Sequence, residues 1–341
     1  MNAALRVTDD AAPHSVSIVI PVYRGEQTLP SLIAEIAPLV RGFTTPLGRL
    51  ARVSEVILVH DNGPDNSDVT IRKLAAQYPW VKAVWLSRNS GQHAATMAGM
   101  EASTGEWIVT IDEDGIYDPG QIGVLLDAAM QQQASIVYAD PINETPRTGF
   151  RNITSKASKV VIDAMTGSKE ARKYHSYRLM LGDVGRQVAR SNSAGVYLDI
   201  ALGWATGPAA TAPIMLRQEA DRPSGYNLRR LLSHFWSMVL TSGTRVLRFV
   251  AGMGLVLAAL GLLSAIGIVI FRLYGGAWPQ GWATLMVTVL VIGGIILFIL
   301  GVLAEYLGVV VYSAMGKPPY VVVSDFAAGP LGRDVGKPNG T

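Results

Sequence analysis

Along residues 16–138, short, predominantly apolar runs alternate with stretches whose apolar positions recur at helical spacing. The runs are Val16–Val22 (VSIVIPV), Glu55–Val59, Val81–Leu86, Trp107–Ile111 and Ser135–Tyr138. A segment apolar at consecutive positions has no face to offer water, so each predicts a strand covered on both sides. Glu26–Val40, Val69–Tyr78, Gly91–Ala102 and Pro119–Gln131 read as the intervening helices. Alternation of this kind predicts an α/β fold, with a mostly parallel sheet and helices on both faces. Ligands of such sheets gather at the carboxyl ends of the strands. The polar clusters Pro21–Glu26, His60–Ser67, Ser87–His93 and Asp112–Asp118 all fall there.

Beyond residue 150 the pattern changes. Ile153, Ala157, Val160, Val161, Ala164 and Met165 share one helical face, and Leu228, Leu231, Leu232, Phe235, Val239 and Leu240 share another. Basic residues lie off both stripes, which suits either the headgroup boundary of a membrane or packing on the sheet. Two uncharged runs follow, Phe249–Phe271 and Trp282–Ala304. Each reaches the roughly 20 residues that a bilayer core requires, and predicts a transmembrane helix. Arg229, Arg230, Arg245 and Arg248 precede the first run and Lys317 follows the second, whereas the connecting loop carries only Arg272. That asymmetry predicts both termini in the cytoplasm. The first fifteen residues hold Asp9, Asp10 and Pro13 and no apolar core of a secretory signal, which agrees with a cytoplasmic N-terminal part.

Composition sharpens this picture. Hydrophobic residues make up 49% of the 341, and the excess is concentrated in the two runs. Cysteine is absent, which excludes disulfides, iron–sulfur clusters and thiol catalysis. From Arg147 to Arg190 ten Lys/Arg stand against three acids, Asp163, Glu170 and Asp183. Such a block beside a membrane points to phosphates or anionic headgroups, or to a solvated face. No aromatic-rich module accompanies it, so nucleic acid is not the expected partner.

Asp112-Glu113-Asp114 directly follows a predicted strand. Carboxylates at i and i+2 there can converge on one hard cation, Mg²⁺ or Mn²⁺, that neutralises a departing diphosphate.

Together, S-I-V-I-P-V-Y (17–23), V-H-D-N-G-P-D-N-S (59–67), L-S-R-N-S-G-Q-H (86–93), D-E-D-G-I-Y-D-P (112–119), Y-R-L (177–179) and the A-E-Y-L-G…K-P-P-Y segment after the second run resemble glycosyltransferase family 2. The resemblance is to its polyprenyl-phosphate branch, the dolichyl-phosphate mannose synthases and undecaprenyl-phosphate sugar transferases. It implies a GT-A catalytic domain over residues 16–225 behind a flexible 1–15, with a first interface helix at about 151–166. A juxtamembrane helix at 226–248, a two-helix membrane domain at 249–304 and a cytoplasmic tail at 305–341, disordered from about Ala327, would follow. The implied reaction is an inverting transfer from a nucleotide-sugar donor, UDP-hexose first and GDP-mannose next, to a polyprenyl phosphate. The implied setting is the inner membrane, and the implied assembly is a homo-oligomer.

Position by position, Pro21, Tyr23 and Glu26 would line the nucleoside pocket and Asp61 would accept from the base. Asp65 would lie beside it or cap the next helix. Asp112 would face ribose or metal, and Asp114 would be the principal metal ligand. Arg178 would hold a phosphate, and Arg151 and Ser155, with Arg147 in support, the acceptor phosphate. A lipid phosphate is already anionic, so no general base is expected. No Q-x-x-R-W segment marks a processive polysaccharide synthase. Four departures stand out: His60 where an aspartate is usual, Ile116 where many members carry a metal-binding Gln, Pro141 near a common arginine, and an R-x-x-G-x-S-x-Y segment reduced to Ser224 and Tyr226. With Ile116 unable to coordinate, the metal shell would use water, Glu113 or fewer protein ligands. A non-catalytic donor- or lipid-binding relative, or another lipid or glycan acceptor, are the alternative readings.

Overall fold

The computed structural model describes residues 12–143, 175–191, 197–217, 263, 266, 270, 274, 281–316 and 318–329. The chain forms two compact units, one of Met1–Gly149, Arg172–Ser224 and Pro318–Thr341, the other of Phe150–Ala171 and Gly225–Lys317.

In the first unit the strands are β1 (His14–Val22), β2 (Phe43–Thr44), β3 (Leu50–His60), β4 (Val81–Leu86), β5 (Trp107–Thr110), β6 (Ile136–Pro141), β7 (Arg178–Leu181), β8 (Ala210–Ile214) and β9 (Val322–Val323). The helices are α1 (Leu29–Val40), α2 (Ser67–Gln77), α3 (Gln92–Ala102), α4 (Ile122–Gln132), α5 (Gly182–Ser191) and α6 (Leu198–Ala205). The sheet runs β8-β6-β7-β5-β1-β3-β4-β9, with β2 against β3. Its centre, β4-β3-β1-β5, is parallel as the apolar runs predict. Val16, Ile18, Val19, Ile20, Val56, Ile57 and Leu58 are wholly buried there. Successive side chains point to opposite faces, so one run feeds both cores: Ile18 and Ile20 on one side, Val19 and Ile57 on the other. Gly99 lets α3 lie close on the sheet, since a methyl group there would meet Val19 Cγ1 at 2.4 Å.

Four strands escape the sequence reading. β7 is four residues long and enters antiparallel between β5 and β6, while β8 returns parallel beyond β6. β9 lies in the segment expected as tail. Residues 318–329 are instead built into the first unit. β9 extends the sheet antiparallel to β4, and the Ser87 amide donates to the Val321 carbonyl at 3.0 Å. Arg72 on α2 donates twice to Asp325, at 2.7 and 2.8 Å. Tyr320 donates to Glu101 on α3 at 2.7 Å. The expected start of disorder at Ala327 falls inside a hydrogen-bonded turn on Asp325.

One buried polar cluster pins the foot of the sheet. Ser54 is the extra residue of an irregularity between β1 and β3. Beside it Glu55 is 2% exposed. It accepts from Ser17 (2.7 Å), from the amide and hydroxyl of Thr104 (2.6 and 2.8 Å) and from Lys82 (2.5 Å). A charge stripped of water needs such a complete set of donors.

In the second unit, both interface helices predicted on apolar spacing, and most of the 249–271 run, lie outside the described residues. The second run forms α7 (Trp282–Ala314), 33 residues and continuing past the expected end at Ala304. Among the described residues alone no helix is long and apolar enough to cross a membrane. Several side chains along α7 fall outside that set, so its backbone length and its sequence, uncharged from Trp282 to Ala304, are the fuller description.

Burial raises the Glu55 pKa, but the hydrogen bonds from Lys82, Ser17 and Thr104 outweigh it and hold the pKa below the ordinary 4.5. A carboxyl depressed on folding adds stability that is complete above its unfolded pKa and is lost as pH falls through the folded one. Glu55→Ala should therefore cost about 3 kcal/mol near neutrality, and Glu55→Gln should flatten the loss of stability below pH 4.5. Denaturant melts across pH check both.

Candidate active site

Three loops at the carboxyl edge of the parallel strands close on one another. Pro21 lies beyond the end of the β1–β5 pairing at Val19, where its missing N–H costs no ladder bond. Tyr23 follows as an exposed ring, 39% accessible. Gly63 passes so close behind it that a methyl group would meet the Tyr23 carbonyl at 1.7 Å. Asp61 ends β3 almost fully buried and accepts from the Ser90 and Gly91 amides at 2.7 and 2.8 Å. Burial pushes its pKa up against those two bonds.

Glu26 and Asp65 face each other across the loops. The Glu26 amide donates to Asp65 at 3.1 Å, and Asn66 donates to Glu26 from backbone and side chain at 3.1 to 3.3 Å. Asp65 also accepts from the Ser67 hydroxyl and amide, so it caps α2. Of the two roles open to Asp65, capping is the one its contacts display.

His60 takes the other face of the strand from Asp61. It is 5% exposed, and its ring lies 5.3 Å from that of Trp85. Burial depresses its pKa, with Asp68 and Asp65 opposing. Neither ring nitrogen has a hydrogen-bond partner. His60 also lines a cavity of about 240 Å³, with Asp68, Arg72, Trp85 and Phe326 among its other walls.

The acidic cluster after β5 divides its work. Asp112 is half-buried and accepts from Gln92 Nε2 (2.6 Å) and Ser176 Oγ (2.5 Å). Its pKa is pushed up to about 6, chiefly by loss of water and further by Asp114, against Ser176, Arg178 and Gln92. Asp114 is exposed and its carboxylate accepts from the Ile116 amide at 3.1 Å. Glu113 turns the other way: its two oxygens accept from the Tyr23 and Arg24 amides at 3.0 and 2.9 Å. Both Glu113 oxygens thus clamp the β1 loop, and of the ways offered for completing a metal shell, water or fewer protein ligands fit this arrangement better. Farther on, Asp118 caps the turn at Pro119 and pairs with Arg217, and Tyr177 donates to its carbonyl.

Arg178, expected to hold a phosphate, is 3% exposed at the start of β7. Its Nε donates to Thr110 Oγ1 at 3.1 Å and its Nη1 pairs with Asp199 on α6. Thr110 in turn donates to the Ser176 carbonyl at 2.5 Å. Arg147, Arg151 and Ser155 lie outside the described residues. Gln92, Ser176 and Asp199 were not singled out from sequence; Gln92 and Ser176 sit within or beside quoted motifs, whereas nothing marks Asp199.

The chain matches the profile of glycosyl transferase family 2 over residues 17–188, which spans every one of these loops. It belongs to that family. Over 322 residues, 91% of this chain and 89% of the relative, it is 31% identical to the undecaprenyl-phosphate 4-deoxy-4-formamido-L-arabinose transferase of Pseudomonas fluorescens (strain SBW25). Its identity to the enzyme of the same name from Aeromonas hydrophila is 29% over 314 residues, 90% of this chain and 92% of that one. Among solved structures, glucosyl-3-phosphoglycerate synthase from Mycobacterium tuberculosis, in complex with Mn²⁺, UDP and glucosyl-3-phosphoglycerate, shares 20% identity at a TM-score of 0.49. That alignment covers 68% of this chain and 80% of the other.

In this family 2 glycosyltransferase the donor set fits a hard cation. Asp114 raises the cost of ionising Asp112, as a like charge does, and a cation bound beside them would relieve it. Each Asp112 oxygen accepts one printed bond, and a carboxylate offers about four lone-pair sites. Among the described residues no group of three or more His, Cys, Asp or Glu converges as a metal cage. Two carboxylates with the remaining positions left to water and a diphosphate are what Mg²⁺ accepts.

Glu113→Gln keeps the shape of the loop clamp but exchanges one acceptor for a donor facing an amide. Losing a charge-assisted bond should raise the donor KM by about tenfold or more, with the Mn²⁺ activation midpoint unchanged. A metal titration at saturating donor checks it, and a shifted midpoint would return Glu113 to the metal shell.

Proposed function

We propose that this glycosyltransferase moves a sugar from a nucleotide-sugar donor to a polyprenyl phosphate, undecaprenyl phosphate foremost, at the cytoplasmic face of the inner membrane. The observation that carries the reading is the extent of similarity. Relatives named for undecaprenyl-phosphate transfer align over 91% of the chain, through the hydrophobic C-terminal part as well as the sheet unit.

The site supports the chemistry. The donor nucleoside would stack near the exposed Tyr23, with Asp61 at the base and Glu26, Asp65 and Glu113 holding the loops in register. The acceptor phosphate oxygen attacks the anomeric carbon as the bond to the nucleoside diphosphate breaks, inverting that centre. An anionic phosphate oxygen needs no proton removed, so Asp112 is free to act as a ligand rather than a base. When bound at Asp112 and Asp114, Mg²⁺ or Mn²⁺ supplies charge neutralisation of the departing diphosphate. Arg147, Arg151 and Ser155 are proposed for the acceptor phosphate. Arg178, with its charge engaged by Asp199, supports the site from beneath.

The relatives' named sugar is a formamido derivative of a pentose, which widens the expected UDP-hexose to nucleotide-activated pentoses as well as hexoses. Membrane attachment is part of the proposal. Leu285, Val289, Ile292, Ile296, Leu300, Leu303, Leu307 and Val310 form an exposed apolar stripe at helical spacing along α7. Its 33 residues extend roughly 50 Å, more than a hydrocarbon core is thick. We place the 249–271 run beside it as the second span.

The test is lipid-product formation by the full-length protein in detergent. It supplies undecaprenyl phosphate, Mn²⁺ or Mg²⁺, and labelled UDP-glucose, UDP-4-deoxy-4-formamido-L-arabinose or GDP-mannose. One donor should give an organic-extractable product that EDTA abolishes, and Asp114→Asn should slow it by about a thousandfold. Donor binding without product on any of these lipid acceptors would favour the non-catalytic reading.

A further inference from the structure

Arg178 is a buried cation with two carboxylates within reach of its field. Asp199 on α6 pairs with it directly, at 13% side-chain exposure, and holds a second bond from Tyr138 at 3.0 Å. Asp112 is the other: each of Asp112 and Arg178 favours the charge of its neighbour. A continuous set of contacts joins them, from Asp199 to Arg178, to Thr110, to Ser176 and to Asp112. The residue that precedes α6, Tyr197, also approaches the site: its ring stands 4.4 Å from that of His93, the residue after Gln92.

A guanidinium in a low-dielectric interior takes the best carboxylate available, because an unpaired charge there is costly. With Asp199 present, its charge is met from α6. Among the described residues, Asp112 is the other carboxylate whose charge bears on Arg178, and an arginine bonded to Asp112 would occupy the oxygens that a cation needs. We propose that Asp199 is a positioning residue: the counter-charge that keeps Arg178 off Asp112 and so keeps the cation site open. It touches neither donor nor acceptor in this scheme. The inference rests on the cation reading of Asp112 and Asp114 above.

The experiment measures Mn²⁺ binding itself, by the electron paramagnetic resonance signal of free Mn²⁺, with full-length protein in detergent and UDP present. Asp199→Asn is expected to weaken Mn²⁺ binding by about tenfold or more. Adding Arg178→Gln to Asp199→Asn removes the competing cation, and should bring the constant back to within about threefold of the unaltered protein. A role confined to structure would lower the melting temperature without this reversal. Asp199→Asn with undiminished Mn²⁺ affinity would overturn the proposal, and so would a double variant that stays tenfold weaker. If Asp199→Asn does not fold, the charge-neutral double variant compared directly with the unaltered protein decides by the same threefold and tenfold limits. If the unaltered protein binds no Mn²⁺ with UDP, the cation reading falls and this inference with it. If it binds Mn²⁺ and Asp199→Asn binds equally well, only the inference falls.

Discussion

Carboxylates at the carboxyl edge of the sheet lose water as the loops fold over them, and they repel one another, so the loops themselves must provide the donors that hold them. Asp61 is met by the Ser90 and Gly91 amides, Glu113 by the Tyr23 and Arg24 amides, and Asp65 by Glu26 and Ser67. All of those bonds except the one from Ser67 cross from one loop to another. The need to compensate negative charge is thus the same thing as the tying of the β1, β3, β4 and β5 loops into one rim. Asp112 and Asp114 differ in kind. Neutral donors meet Asp112, and Asp114 is exposed. Asp114 opposes the ionisation of Asp112, and this pair is the one proposed above for a cation.

Away from the rim, charge is used to fix edges. Glu55 and Lys82 pin the foot of the central strands, where β1 and β3 fall out of step. Arg72 lies over Trp85 at 4.9 Å and reaches Asp325, so α2, β4 and the C-terminal segment are held by one side chain. That segment also supports Ser87, the first residue of the loop that bonds Asp61. The end of the chain therefore contributes to the order of the donor loops, although it contains none of their polar residues. His60 belongs to the same corner. Placed where charge would have to be carried between Asp65 and Asp68, it is kept uncharged by burial and fills space against Trp85.

The central architecture was legible because burial on both faces leaves a mark at every position of a strand. β1, β3, β4, β5 and β6, with α1 to α4 between them, begin and end within a few residues of the expected bounds. β7, β8 and β9 were not legible. A strand of two to five residues has too few positions to establish a period, and its partners are distant in sequence. Glu113 shows the same limit for a side chain. Its neighbours in D-E-D suggest a metal ligand, but a strand's alternation sends it to the opposite side, toward amides some ninety residues earlier.

The sequence by itself determined the parallel α/β core, the gathering of polar loops at one edge and the kinship with family 2, since all three depend on local pattern and on the order of motifs along the chain. The tertiary structure alone decided that Glu113 clamps the β1 loop, that Arg178 is paired with Asp199, and that residues 318–329 join the sheet. Those outcomes depend on which unpaired charge or strand edge lies nearest in space, and distance in space is what the linear order does not carry.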